Sequence, residues 1–171
     1  MLKAAKMNRV ASVYLETSFF SECATIRTGP IDLGRRATSL NWWRTHAHKF
    51  DLYISKEVVR ELSHPGFPAE VREPALAMLS GLSALELNAE VAALADVLAT
   101  ERVMPAPAVQ GDALHLAAAT IHRMDYLLTW NQRHLANPNK RTHFAVICAR
   151  LNLSAPQIVT PDLLILEDEN A

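Results

Sequence analysis

Five short runs of the chain are predominantly apolar instead of alternating with polar residues, and a helical pattern separates each from the next. They are VASVYL (10–15), DLYIS (51–55), ALEL (84–87), YLLTW (126–130) and QIVT (157–160). A strand with one wet face alternates, whereas a strand covered on both faces does not. The runs therefore predict a parallel sheet with helices on both sides, an α/β architecture of about five strands.

The intervening segments read as helices. SFFSECATI follows the first strand, with Ser18 as its expected N-cap. From Leu33 to Phe50 the apolar positions Leu33, Ala37, Leu40, Trp43, Ala47 and Phe50 fall at steps of three and four, one helical face. Arg35, Arg36, Arg44 and Lys49 occupy its other side. SKEVVRELSHPG is a helix capped by Ser55 and ended by its Pro-Gly. EVREPALAMLSGL is another, with Pro74 near its first turns or bending it, and NAEVAALADVLATERV a third, capped by Asn88. The alanine-rich DALHLAAATIHRM is expected to pack tightly on the sheet, and a helix from about 140 to 151 precedes the last strand. Pro161 is expected to close that strand and end the fold. One domain over 8–165 is expected, with flexible tails at 1–7 and 166–171.

Composition removes several function classes. Seventeen Lys and Arg against eighteen Asp and Glu leave a formal net charge of −1, so no global basic field draws in nucleic acid. Binding of that kind would need a local patch or a metal. Cys23 and Cys148 stand far apart with no CxxC spacing, which argues against zinc and fits a reducing cytosol. No apolar run approaches the ~18 residues of a membrane span. A cytoplasmic protein without membrane contact is the expectation.

Ligand sites in open α/β sheets lie at the carboxyl ends of the strands. Glu16 ends the first strand, Asn131 follows the fourth, and Asp112 opens the alanine-rich helix. Glu61 flanks the helix after strand two, beside the face marked by Val58, Val59 and Leu62. Converging carboxylates repel and are costly to bury, so they signal a bound cation. An oxygen donor set suits Mg²⁺ or Mn²⁺, which polarise phosphoryl oxygens and activate water.

VYLETS, VVREL, GDALHLAAA and LLTWNQRHLAN, in that order from Val13 to Asn137, resemble the successive motifs of PIN-domain ribonucleases, the VapC-like toxin branch above all. The resemblance implies a three-layer α/β/α sandwich and a metal-dependent endoribonuclease cleaving RNA phosphodiesters. It also implies a cognate antitoxin and a homodimer. Glu16, Glu61, Asp112 and Asn131 would be catalytic, the three acids holding the ion. Two positions depart from the family, which usually has Asp at both: here they are Glu16 and Asn131. Asn131 brings no charge, so one tightly held ion is expected.

Ser18, Arg35, Arg36, Arg133 and His134 are the candidate RNA contacts. His115, one turn after Asp112, reads as a structural histidine, and Asp125 as a turn residue at the opposite edge. The alternative function is a catalytically weakened PIN-fold module that acts by binding a protein partner. A receiver-like phospho-acceptor would need a lysine at a late strand end, which LLTWN and QIVTP lack. No GxGxxG follows the first strand, against a dinucleotide site.

Overall fold

The computed structural model describes residues 9–169. Its sheet is formed by β1 (Ser12–Leu15), β2 (Asp51–Ser55), β3 (Ser83–Leu85), β4 (Tyr126–Leu128) and β5 (Gln157–Val159). The strand order is β3-β2-β1-β4-β5, and every pair is parallel. The helices are α1 (Thr17–Cys23), α2 (Pro30–Thr45), α3 (Lys56–Leu62), α4 (Ala69–Ala77), α5 (Ala89–Thr100), α6 (Asp112–Ile121), α7 (Pro138–Arg150) and α8 (Pro161–Glu169). The result is an α/β/α sandwich.

All four residues of β1 are buried, and Val13, Tyr14 and Leu15 have no exposed surface. Each such side chain contributes about 1.5–3 kcal/mol relative to exposure. Ser55 and Asn88 cap α3 and α5 as expected, accepting from the backbone N–H of Glu57 and Val91. On α6 the residues from Ala113 to Thr120 are all buried, with Ala113 and Ala117 to Ala119 fully so. Their small side chains let the helix lie close to its neighbours.

The chain builds outward from β1 to β2 and β3, then returns to the other side of β1 for β4 and β5. The topological switch point therefore lies between the carboxyl ends of β1 and β4. In open α/β sheets ligands bind at such a point. At the opposite edge Asp125 ties β1 to β4, accepting from Ser12 N at 2.7 Å, Ser12 Oγ at 2.9 Å and Arg9 Nη2 at 2.6 Å.

Two elements differ from expectation. The buried face of α2 is turned by about one residue: Ser39 and Trp42 are fully buried, while Leu33 is 48 % exposed. Ser39 accepts the indole N–H of Trp130 at 2.7 Å, and Trp42 packs on Phe19 and Phe50. Trp43 is half-buried beside Phe19 and Phe20. Both tryptophans of the pair are thus used inside one chain. Second, Pro161 does not end the fold but begins α8, which packs against α2. Proline suits the first turn of a helix because its missing N–H would be unpaired there anyway. The expected boundary at 165 falls inside this helix. The expected tail 1–7, and the last two residues of the expected tail 166–171, lie outside the described residues.

Candidate functional site

β1 delivers Glu16 to the switch point, 4 % exposed. It is also the N-cap of α1: Glu16, not Ser18 as the sequence suggested, accepts the first free N–H of that helix, from Ser18 N at 3.1 Å. The Ser18 and Thr129 hydroxyls donate to the same oxygen, Oε2. None of these partners carries charge, and burial pushes the Glu16 carboxyl above its usual range despite His115 nearby.

The segment after β4 supplies the other wall, and each residue of its Thr-Trp-Asn has a task. Thr129 donates to Glu16 at 2.7 Å and accepts Asn131 N at 2.9 Å. Trp130 N donates to Ser18 Oγ at 2.8 Å, while its indole N–H anchors on Ser39. Asn131 turns its amide nitrogen to Asp112 Oδ1 at 2.8 Å and its oxygen to His134 N at 3.1 Å. The amide therefore orients Asp112 and closes a turn.

Asp112 is the first residue of α6, whose N-cap is Gly111, and it makes no capping hydrogen bond. Gly111 has φ 72°, a left-handed conformation that glycine adopts without strain. Burial raises the Asp112 carboxyl above its ordinary pKa, and the charge of Glu61 adds to the rise.

Val58 and Leu62 bury the inner face of α3, whereas Val59 is 41 % exposed. Glu61 receives the Thr17 hydroxyl and the Nε2 of His115, the latter at 2.9 Å. Burial opposes its ionisation, but these partners outweigh it and hold the carboxyl below the usual range. His115 is fully buried, and its Nδ1 lies 2.7 Å from the Tyr14 hydroxyl. Burial disfavours its charge, yet the Glu61 bond and the Glu16 field raise its pKa overall.

Glu16, Glu61, Asp112 and Asn131 line one pocket of about 550 Å³, with Thr17, Ser18 and Arg60. Of the expected RNA contacts only Ser18 lines it. Arg35 lies over the Trp130 ring and reaches Glu22 and Gln132; Arg36 and Arg133 are exposed outside it, and His134 is half-buried near Lys140.

Donor atoms of Glu16, Glu61 and His115 lie within 4.8 Å of one another, the spacing of a cation site. Asp112 borders the same pocket but is outside this tightest group. Both His115 nitrogens are engaged, by Tyr14 and by Glu61. We read it as the residue that orients Glu61. Its place in the site was obscured because a histidine on an apolar helix face looks like core. The spacing Asp112–His115, one turn apart, was the available signal.

Comparison of the whole chain with solved structures finds the same architecture. VapC20 of Mycobacterium tuberculosis, a sarcin-ricin loop cleaving toxin, superposes with a TM-score of 0.55 at 16% identity, over 74% of this chain and 95% of that one. The fold is PIN-like. VapBC2 of Rickettsia felis, solved with a DNA fragment from its promoter, gives 0.54 at 15% identity over 86% of this chain and 97% of that one. FitAcB of Neisseria gonorrhoeae gives 0.50 at 15% identity over 87% and 97%. No family sequence model matches the chain, and no curated protein sequence does. Among the described residues no helix is long and apolar enough to cross a membrane.

Proposed function

We propose that this PIN-like protein is a metal-dependent endoribonuclease and the toxin component of a toxin-antitoxin pair. The observation that carries this reading is the convergence of Glu16, Glu61 and Asp112 on one open pocket at the β1/β4 switch point. A buried Glu16 held only by neutral donors suits a cation. Glu16 and Glu61, with Asp112 beside them, would hold Mg²⁺ or Mn²⁺, which would polarise the phosphoryl group and ease deprotonation of the attacking water.

The chain's own residues set the geometry. Ser18 and Thr129 fix Glu16, Thr17 and His115 fix Glu61, and Asn131 fixes Asp112. Hydrolysis forms one P–O bond to water and breaks the P–O bond to the leaving 3′-oxygen, which takes up a proton. No side chain need become covalently attached.

An antitoxin partner and a cytoplasmic RNA substrate belong to the same reading, as does a homodimer. Ile31 and Leu33, both exposed on α2, would be available to its interface. The test is cleavage of labelled RNA with Mn²⁺ and with EDTA, by the wild type and by Asp112→Asn. Cleavage that needs the metal and is lost in the variant supports the reading. A wild type that leaves RNA intact with Mn²⁺, or a fully active variant, refutes it.

A further inference from the structure

We propose that Tyr14 is a positioning residue of the acidic site: its hydroxyl, backed by Ser55, holds the His115 ring so that Nε2–H stays on Glu61. The inference rests on the nuclease reading and deepens it, by extending the site beneath the pocket into the core.

A line of four polar side chains runs under the pocket. Tyr14, Ser55 and His115 have no exposed surface. Ser55 Oγ lies 2.7 Å from the Tyr14 hydroxyl, and that hydroxyl lies 2.7 Å from His115 Nδ1. His115 Nε2 lies 2.9 Å from Glu61 Oε2. The line crosses from β2 through β1 and α6 to α3, and it ends at the pocket. A phenylalanine would fill the same ring volume on β1. A hydroxyl buried there is costly unless it is paired, and this one is paired on both sides.

Counting protons gives the line a direction. An ionised Glu61 only accepts, so the proton between it and His115 sits on Nε2. In the neutral ring Nδ1 is then bare and takes the Tyr14 proton, while the Tyr14 oxygen accepts from Ser55. Ser55 Oγ closes the line by accepting Glu57 N at 3.3 Å, as the cap of the helix that carries Glu61. A hydroxyl can also accept, so Tyr14 serves a doubly protonated ring equally well. In both states Nε2 keeps its proton for Glu61. The opposite tautomer would set a bare Nε2 against a carboxylate oxygen.

Held at one nitrogen, the imidazole could turn about its bond to Glu61; held at both, its plane is fixed. The Thr17 hydroxyl and His115 both meet Oε2 of Glu61, which leaves Oε1 as the oxygen that can ligate a cation. Partners of this kind, one bond behind a ligand, set how well that ligand binds metal.

The test combines nitrogen-edited NMR of the metal-free full chain, labelled at histidine, with calorimetric titration by Mn²⁺. In the wild type His115 Nε2 should carry a proton that exchanges slowly with water. Tyr14→Phe removes only the hydroxyl. The Nε2 proton should then broaden into exchange, and Mn²⁺ affinity should fall roughly tenfold or more. Ser12→Ala removes a buried hydroxyl from the other end of β1, and it should lower the melting temperature while moving neither readout. A wild type with bare Nε2 overturns the inference, as does Tyr14→Phe with the proton retained and Mn²⁺ affinity within about twofold. Should Tyr14→Phe fail to fold, the wild-type spectrum decides alone, through the Nε2 proton and a cross-peak from the Tyr14 hydroxyl proton to the His115 ring. Mn²⁺-dependent RNA cleavage with Tyr14→Phe unchanged in both readouts would sink this inference and spare the nuclease reading. The expected signals and loss of affinity, in a protein that never cleaves RNA, would do the reverse.

Discussion

Asn131→Asp changes almost no shape, yet it inverts one contact. The Asn131 oxygen that receives His134 N survives as a carboxylate oxygen. The amide nitrogen that donates to Asp112 at 2.8 Å becomes a second acceptor. A hydrogen bond to a charged group, worth about 1.5–3 kcal/mol, is lost. Two negative charges about 4 Å apart add about 4 kcal/mol of repulsion at an effective dielectric of 20. That sum has a ceiling, because the pair can instead share a proton. Keeping a carboxyl protonated at pH 7.5, about 3.6 units above its ordinary pKa, costs about 5 kcal/mol, and the shared proton restores a hydrogen bond. The net loss without metal at pH 7.5 is then about 3–5 kcal/mol. For a chain of this length that lowers the melting temperature by roughly 6–20 °C. The deficit should shrink as pH falls toward 5, where the shared proton costs little, and should shrink again with Mn²⁺, which the variant binds more tightly. Thermal melts in EDTA and in Mn²⁺, with calorimetric titration of the metal, read all of this. A metal-free variant melting within about 1 °C of wild type at pH 7.5, or equal metal affinity and stoichiometry, refutes it. Asn131 would then only hold its turn.

Three further substitutions probe separate links. In Asp112→Asn the metal-free melting temperature should stay level or rise at pH 7. The folded pKa of Asp112 lies above its unfolded value, so the charged folded form is disfavoured there, and wild type gains stability as pH falls between the two values. The variant's advantage should therefore shrink toward acid. Ser39→Ala leaves the buried indole N–H of Trp130 without its acceptor and should cost about 1–3 kcal/mol by urea denaturation. Asp125 behaves oppositely to Asp112: burial opposes its charge, but Ser12 and Arg9 hold its pKa below the ordinary value. Its stabilisation is present above the unfolded pKa near 4 and is lost as pH falls through the lower folded one. Asp125→Asn should cost about 1 kcal/mol at pH 7, discounted for partial exposure, and almost nothing at pH 2.

The parallel sheet was legible because apolar β-branched runs such as Val10 to Leu15 have no wet face to encode. The α2 face was misread because periodicity counts apolar residues, and here the buried position is a serine that accepts the Trp130 indole. No local signal reports a partner 91 positions away. The helix after Pro161 was missed because proline marks helix starts as well as strand ends. In the site, Glu16, Glu61, Asp112 and Asn131 were placed by strand ends and motif order, and the structure gathers them in one pocket. Glu57 and Arg60 stayed hidden, since an acid and a base three apart on a helix look like a solvated pair. The Glu57 contact with Gly111 N is what gives that pair a place in the site.

The alanines of α6 set a distance by what they lack. Ala113 and Ala117 to Ala119 bring no atoms beyond Cβ, so at those positions the helix meets its neighbours through backbone and methyl groups. Asp112 and His115 ride on that rigid rod and inherit its height above the sheet. A larger residue at Ala117 would act as a shim, lifting the rod at a cost of about 1–3 kcal/mol. Both side chains would be displaced together, with every residue of the pocket unchanged. The alignment of the pocket is therefore vulnerable at positions that carry no polar side chain, and a scan for damaging substitutions restricted to its lining would pass over them.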